Sequence, residues 1–134
     1  MAVGQAICHF IALGYEVCLP IGDKRDYDFV IEKDGQLQKV QVKFAGLYND
    51  GQCKVALRVM GGNQSYGYAR KYSDTSFDFL FVYSGKGNKY LLPWKEIVPR
   101  NQIHIEHTKY KKYQLKSRRY SSGQRGLAVN QLAS

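Results

Sequence analysis

The stretch "DYDFVIEKDGQLQKVQVKF", residues 26–44, decides the fold of this 134-residue chain. Apolar and polar residues alternate on both sides of a central Asp-Gly pair, and this pattern predicts two strands joined by a tight turn. Asp28 and Gln41 lie at nearly equal distances from that turn, so the hairpin brings them close together. Side chains two residues apart point to the same face of a strand, and Lys43 therefore lies beside Gln41.

A carboxylate, an amide and an ammonium group thus meet at the open end of the predicted hairpin, where Val42 faces the core. The oxygens of Asp28 and Gln41 are ligands of the type that a hard cation such as Mg²⁺ prefers. Lys43 is suited to stabilise the charge that develops on a phosphate. The alternative is that all three are ordinary exposed hairpin residues, and the spacing alone leaves that alternative open.

The segments before the hairpin predict a helix and a short strand. Apolar residues recur at helical spacing in "AVGQAICHFIALG", and Gly14 is well placed just beyond the helix end. The next segment, "YEVCLP", is typical of a short strand that closes at a proline.

The segments after the hairpin predict further strands. "CKVALRVM" is typical of a third strand, whereas the polar "GGNQSYGYARKYSDTS" predicts a short helix or a loop over the sheet. "FDFLFVYSG" is apolar throughout, which favours the interior of a sheet, and "NKYLLPWKEI" predicts one more strand. One helix, three strands, a crossover and one or two strands indicate a mixed α/β sheet in a single domain.

The charge of the chain favours a polyanionic partner, and nucleic acid before membrane. Lys and Arg outnumber Asp and Glu by 20 to 11, which gives a formal charge of +9. No acid follows Glu106, while the last 28 residues carry seven cations: Lys109, Lys111, Lys112, Lys116, Arg118, Arg119 and Arg125. Three tyrosines, Tyr110, Tyr113 and Tyr120, alternate with them, and such rings can pack on sugars or bases. A solvated tail without a partner is the alternative.

The three cysteines and the apolar segments predict an intracellular, reduced, cytoplasmic protein. No CxxC pattern is present, so neither a zinc cluster nor a redox motif is indicated. The longest apolar run is too short to span a bilayer, and the first residues lack the basic region of a signal peptide.

The helix, the hairpin and the strands of "DFLFVYSGKGNKYLLPWKEI" together resemble the PD-(D/E)xK nuclease superfamily over residues 2–98. The branch that the chain resembles most is the cyanobacterial group I intron-encoded homing endonucleases, which carry QxK in place of (D/E)xK. The resemblance implies a four-stranded mixed sheet flanked by helices and Mg²⁺-dependent hydrolysis of phosphodiester bonds.

The resemblance also implies roles for individual residues. Asp28 corresponds to the metal-binding Asp, Gln41 to the second acidic position and Lys43 to the catalytic Lys. Gln5 corresponds to a Glu that the first helix usually offers to the metal, so only one anionic ligand remains in this set. This predicts a catalytically weakened chain, either through a glutamine introduced to keep a DNA complex intact or as a natural variant that binds without cutting.

The function expected from these features is site-specific cleavage of double-stranded DNA for intron homing. We expect a nuclease domain over residues 1–107 and a basic, Tyr-rich DNA-binding extension of the same domain over residues 108–134. Lys24 and Arg25 precede Asp28 and are expected to contact flanking phosphates, with a solvated loop as the alternative. Because duplex strands are related by a two-fold axis, a homo-oligomer with at least a symmetric pair of chains, a dimer, is expected, and the resemblance implies a higher assembly such as a tetramer. A Holliday-junction resolvase and a non-cleaving DNA-binding module remain as alternatives.

Overall fold

The computed structural model describes residues 1–63, 66–97 and 101–116, and the conformation of the other residues is not described. One α-helix, nine strands and two 3₁₀ helices occur in the described residues. They are α1 (Ala2–Ala12), β1 (Glu16–Cys18), β2 (Phe29–Lys33), β3 (Gln36–Leu47), β4 (Cys53–Ala56), β5 (Arg58–Asn63), β6 (Tyr66–Lys71), β7 (Phe79–Ser84), β8 (Lys89–Pro93), the 3₁₀ helix Trp94–Glu96, β9 (Gln102–His104) and the 3₁₀ helix Thr108–Tyr113.

The predicted hairpin is formed by β2 and β3, and its turn is the predicted one. Asp34 and Gly35 both have positive φ, 53° and 79°, as the two central residues of a type I′ turn require. The antiparallel register runs from Lys33 opposite Gln36 to Phe29 opposite Val40. The same register extended by one residue sets position 28 opposite position 41.

The strand β3 organises the main sheet, because three other strands pair with successive parts of it. Its first half pairs with β2, residues 40–45 pair in parallel with β7, and its last two residues pair with β4. The sheet continues through β1 beside β2, β8 beside β7 and β9 beside β4. This mixed sheet confirms the predicted fold class.

Two hydrophobic clusters, here called the helix cluster and the tryptophan cluster, cover the two faces of the sheet. Successive side chains of β7 point to opposite faces, so Phe81 belongs to the helix cluster, whereas Leu80 and Val82 on either side belong to the tryptophan cluster. The helix cluster consists of Ala6, Phe10, Phe29, Ile31, Val40, Val42, Phe81 and Leu91. The tryptophan cluster consists of Ala45, Cys53, Val55, Leu57, Tyr72, Phe77, Leu80, Val82, Tyr90, Leu92, Trp94, Ile97, Ile103, Ile105 and Tyr110. The helix α1 therefore packs on one face only.

The prediction of a short helix or a loop after the third strand was wrong. Residues 58–63 and 66–71 form a separate two-stranded antiparallel ribbon, β5–β6, in which Arg58 pairs with Lys71 and Gly62 with Gly67. The predicted third strand is divided at Leu57, which is fully buried, so β4 stays in the main sheet and β5 leaves it. The polar, Gly-rich composition suggested a loop because it lacks the apolar alternation by which a strand is predicted.

The start of the expected extension packs on the domain. Tyr110 in the second 3₁₀ helix is 5% exposed, and the backbone N–H of Leu115 donates to the carbonyl of Lys89 at 2.8 Å. The prediction that Tyr110 packs on nucleic acid is therefore wrong, because its ring already fills the tryptophan cluster. Tyr120 lies outside the described residues. In the described part of the chain, no helix has the length and apolar content needed to cross a membrane.

Candidate active site

The candidate site lies where the edge of β3 changes partner. The strand β2 pairs with β3 up to Val40, and β4 joins it only at Gly46. Asp28, the residue before β2, occupies the start of this gap. Its backbone N–H donates to the carbonyl of Val40 at 2.8 Å, and its Oδ2 accepts a hydrogen bond from the N–H of Val42 at 2.7 Å. The carboxylate of Asp28 thus takes the place of a strand acceptor, which fixes its orientation.

Gln41 and Lys43 share one face of β3, as the sequence predicts. Their partners on β7 are Leu80 and Val82, both in the tryptophan cluster, whereas Val42 between them is buried in the helix cluster. Both polar side chains are partly buried. The amide Nε2 of Gln41 donates to the carbonyl of Val42 at 3.3 Å, so the side-chain oxygen of Gln41 is the atom that can accept a hydrogen bond or bind a cation.

The electrostatics of Asp28 set it apart from an ordinary surface acid. Burial raises the pKa of its carboxyl group above the usual 3.8, and the hydrogen bond from Val42 and the nearby ammonium of Lys43 only partly offset this effect. A carboxylate held in a gap of a sheet, partly desolvated and beside a cation, is typical of a functional site.

The chain matches known nucleases in two comparisons. A sequence model described as PD-(D/E)XK endonuclease matches residues 1–124. The chain belongs to the PD-(D/E)XK endonuclease family. Its structure is similar to that of the bacterial homing endonuclease I-Ssp6803I, with a TM-score of 0.70 and 30% sequence identity, over 87% of this chain and 80% of that one. No curated protein sequence matches the chain. The resemblance to PD-(D/E)xK nucleases and to a homing endonuclease is confirmed.

The donor atoms of the candidate site suit a hard divalent cation in type. One carboxylate and one amide oxygen are brought together, and oxygen ligands are those that Mg²⁺ takes. Within the described residues, no group of three or more His, Cys, Asp or Glu side chains comes together as a metal site. Of the two side chains, Asp28 offers an anionic oxygen and Gln41 a neutral one, and their roles as metal ligands stay predictions.

Gln5 lies on α1, next to Ala6, which is fully buried against the sheet. The helix cluster to which Ala6 belongs covers the face opposite to that of Gln41 and Lys43. Gln5 is partly exposed. The role of Gln5 as a ligand stays a prediction.

The predicted DNA-binding cations fall into three groups. Lys24 and Arg25 are exposed in the loop that leads to Asp28. Lys109, Lys111, Lys112 and Lys116 are exposed on and just after the second 3₁₀ helix. The last group, Arg118, Arg119 and Arg125, lies outside the described residues. The phenol of Tyr113, predicted to face nucleic acid, is half-buried and donates to Glu96 at 2.6 Å, which raises its pKa to about 12.

Sequence reasoning missed a polar network around Glu106. Its carboxylate accepts hydrogen bonds from the hydroxyl of Ser84, from the amide of Asn88 at 3.1 Å and from the phenol of Tyr90 at 2.7 Å. Burial by itself raises the pKa of Glu106, but these hydrogen bonds outweigh it and leave the pKa lowered. The donors are 16 to 22 residues away in sequence, so no local pattern could reveal them.

Proposed function

We propose that the chain is a Mg²⁺-dependent endodeoxyribonuclease that cleaves double-stranded DNA at specific sites, in the manner of a homing endonuclease. The observation that carries this proposal is the partly desolvated Asp28 carboxylate, which the N–H of Val42 holds at the gap in β3, next to Lys43 in the chain. Membership of the PD-(D/E)XK family and the likeness to a homing endonuclease support the same reaction class. Intron homing is the finer part of the proposal and rests on that likeness.

Three side chains would divide the work at the scissile phosphate. Asp28 and Gln41 would hold the cation, with Gln5 as a further ligand, and the bound ion would supply Lewis-acid stabilisation and a more acidic water. The Lys43 ammonium would donate to a phosphate oxygen and stabilise its developing negative charge. The hydrogen bond from Val42 keeps the Asp28 carboxylate in place before DNA arrives, so little reorganisation is needed.

The exposed cations would bind the phosphate backbone on either side of the site. Lys24 and Arg25 precede Asp28 and would contact phosphates near the cut. The lysines of residues 109–116, with Arg118, Arg119 and Arg125, would supply the salt-dependent part of the affinity. One chain carries one site of this kind, so cleavage of both strands would use a symmetric homo-oligomer, a dimer or a tetramer.

The glutamines at positions 5 and 41 give weight to a second candidate, a DNA-binding module that has lost cleavage. An amide carbonyl attracts Mg²⁺ less strongly than a carboxylate does, and Gln5 stands where the family resemblance implies a Glu. The retained Asp28 and Lys43 argue for chemistry, because a protein that only binds DNA has no use for a desolvated acid beside a lysine.

The test compares three proteins: the chain itself, Gln5→Glu, and Gln5→Glu with Lys43→Ala. Each is incubated with Mg²⁺ and fragmented genomic DNA, and the new DNA ends are sequenced. Recurring ends from the Gln5→Glu protein that vanish with Lys43→Ala support a site-specific endonuclease and identify its target. New ends only on an added four-way junction would favour a resolvase, and no ends on either substrate would favour the binding module.

A further inference from the structure

The β5–β6 ribbon is attached to the domain at its base, beside the candidate site. Leu57 before β5 is fully buried and Tyr72 after β6 is 8% exposed, so both ends of the ribbon are anchored in the tryptophan cluster. The last residues of β6 and the first residue beyond it contact the two segments that carry Asp28 and Lys43.

The first contact is an ion pair between Arg70 of β6 and Asp26, two residues before Asp28. Both terminal nitrogens of the Arg70 guanidinium donate to the Asp26 carboxylate, Nη1 at 3.2 Å and Nη2 at 2.5 Å. The hydroxyl of Ser76 donates to the same carboxylate at 2.9 Å. A two-pronged pair of this kind has a defined geometry, which a lysine cannot reproduce. The segment that leads to Asp28 is thereby tied to the ribbon.

The second contact is between the ammonium of Lys43 and the ring of Tyr72. The Nζ atom lies 5.5 Å from the ring centroid, within the range of a cation–π interaction. The ring itself is held edge-on by Phe77 and Trp94, at centroid distances of 5.0 and 6.0 Å. The indole N–H of Trp94 donates to the carbonyl of Ser73 at 2.9 Å, which fixes the backbone next to Tyr72. The fixed ring of Tyr72 thus faces the flexible side chain of Lys43.

We propose that the base of the ribbon positions the catalytic pair, with Tyr72 holding the Lys43 ammonium and Arg70 holding the segment of Asp28. The inference rests on the proposed nuclease function. The four-carbon stem of a lysine has many rotamers, and the ring restricts them to those that keep the ammonium near the gap in β3. Arg70 and Tyr72 are positioning residues, because they act through Asp28 and Lys43.

The kinetic test uses the Gln5→Glu protein as parent and the target found by end sequencing. Tyr72→Leu removes the ring face, and we expect kcat to fall roughly three- to thirtyfold with KM unchanged. Tyr72→Phe keeps the ring and is expected to retain the parental kcat. Arg70→Lys keeps the charge but loses the two-pronged pair, and kcat is expected to fall several-fold. Arg58→Lys, at the same end of the ribbon on the other strand, is the control and is expected to change nothing.

A spectroscopic test separates positioning from folding. In spectra of the lysine ε-methylene groups, assigned with Lys43→Arg, a proton near the ring face shows an upfield ring-current shift. We expect this shift for Lys43 in the parent and in Tyr72→Phe, and its loss in Tyr72→Leu, while the melting temperature reports whether each variant is folded. This measurement needs neither DNA nor cleavage.

The two proposals fail in different ways. If Lys43→Ala cleaves as fast as the parent, the nuclease site is wrongly assigned. If Lys43→Ala is inactive but folded Tyr72→Leu and Arg70→Lys keep the parental kcat, or if the Lys43 signal carries no ring-current shift, the ribbon base does not position the pair and only this inference is overturned.

Discussion

Two partly buried carboxylates, Asp28 and Glu106, have opposite environments in this chain. Glu106 accepts hydrogen bonds from three side chains, and these outweigh burial and lower its pKa. Asp28 accepts one backbone hydrogen bond and interacts with one lysine, and burial outweighs both and raises its pKa. The folded chain therefore favours the charge on Glu106 and disfavours the charge on Asp28.

The difference agrees with the roles proposed for the two residues, a structural one for Glu106 and a functional one for Asp28. The donors to Glu106 come from β7, β8 and the turn between them, so the carboxylate ties the segment after β9 to that hairpin. Tyr90 remains a reliable donor, because burial and the adjacent carboxylate raise its pKa. Asp28 keeps unused capacity to accept a cation or a hydrogen bond, which an acid needs if it is to bind a metal.

The largest expected effect is on cleavage. In the Gln5→Glu background, Asp28→Asn is expected to lower the rate of DNA cleavage by at least about a hundredfold, since a charged group at the phosphate is lost. Its melting temperature is expected to stay equal or rise, because the penalty of a buried charge is removed while an amide oxygen still accepts from Val42. Cleavage of the sequenced target and thermal unfolding check the two parts.

The control for this variant is Asp23→Asn, an exposed acid in the same loop, which is expected to change neither quantity. A clear loss of stability in Asp28→Asn would show that Asp28 stabilises the fold, as Glu106 does, and would contradict the difference between the two acids.

Glu106→Gln is expected to have the converse effect. An amide cannot accept from all three donors, and its own N–H₂ group faces at least one of them, so a polar group is left unsatisfied. This costs about 1–3 kcal/mol of the free energy of unfolding, while cleavage per folded molecule stays unchanged. Urea unfolding measures the first quantity, with the exposed Glu16→Gln as control at about 0.5 kcal/mol or less. A large loss of cleavage in folded Glu106→Gln would contradict the division of roles.

The two acids should also give opposite contributions to stability in acid. The folded pKa of Glu106 lies below its ordinary 4.5, so its contribution is full above pH 4.5 and is lost as the pH falls through the lowered value. The folded pKa of Asp28 lies above 3.8, so its ionisation opposes folding, and that penalty disappears as the pH falls toward 3.8. Glu106→Gln should therefore flatten the acid loss of stability, and Asp28→Asn should steepen it. Unfolding free energies from pH 7 to pH 3 test both signs, and equal slopes in the two variants would contradict them.

The smallest expected effect concerns DNA affinity, with both acids left intact. Deletion of residues 117–134 removes Arg118, Arg119 and Arg125 and should reduce the slope of log affinity against log salt by roughly 3. The boundary follows Lys116 because Tyr110 and Leu115 pack on the domain, so a cut before them would damage the fold. Salt titrations of DNA binding measure the slope, and an unchanged slope would show that the tail makes no phosphate contact.

The sequence predicts the hairpin and its site because both are local. The Asp-Gly turn fixes the register, and the register alone sets position 28 opposite position 41 and puts Gln41 and Lys43 on one face. Strong alternation and apolar runs also predict β7 and β8 correctly. The ribbon escaped prediction because its sequence is polar and Gly-rich and lacks a strong apolar alternation.

The surroundings of the site could not be predicted, because they depend on contacts between distant segments. Tyr72 lies 29 positions after Lys43, and Arg70 lies 44 after Asp26. Tyr110 lies between lysines in the sequence, which predicts an exposed ring, yet the residue is buried in the core. These contacts are set by the tertiary fold, in which β7 pairs with β3, and not by any local pattern in the sequence.

The parallel pairing of β3 with β7 has a consequence for how the chain acquires its activity during folding. The β2–β3 hairpin closes a very short loop and can form within microseconds, whereas β7 joins β3 only after the whole segment of residues 48–78 has been gathered. Asp28 and Lys43 therefore meet early, but the ring of Tyr72 reaches Lys43 only when that slow closure is complete. A nascent or partly folded chain would carry the proposed catalytic residues without the contact from Tyr72, and the proposed cleavage competence would appear last.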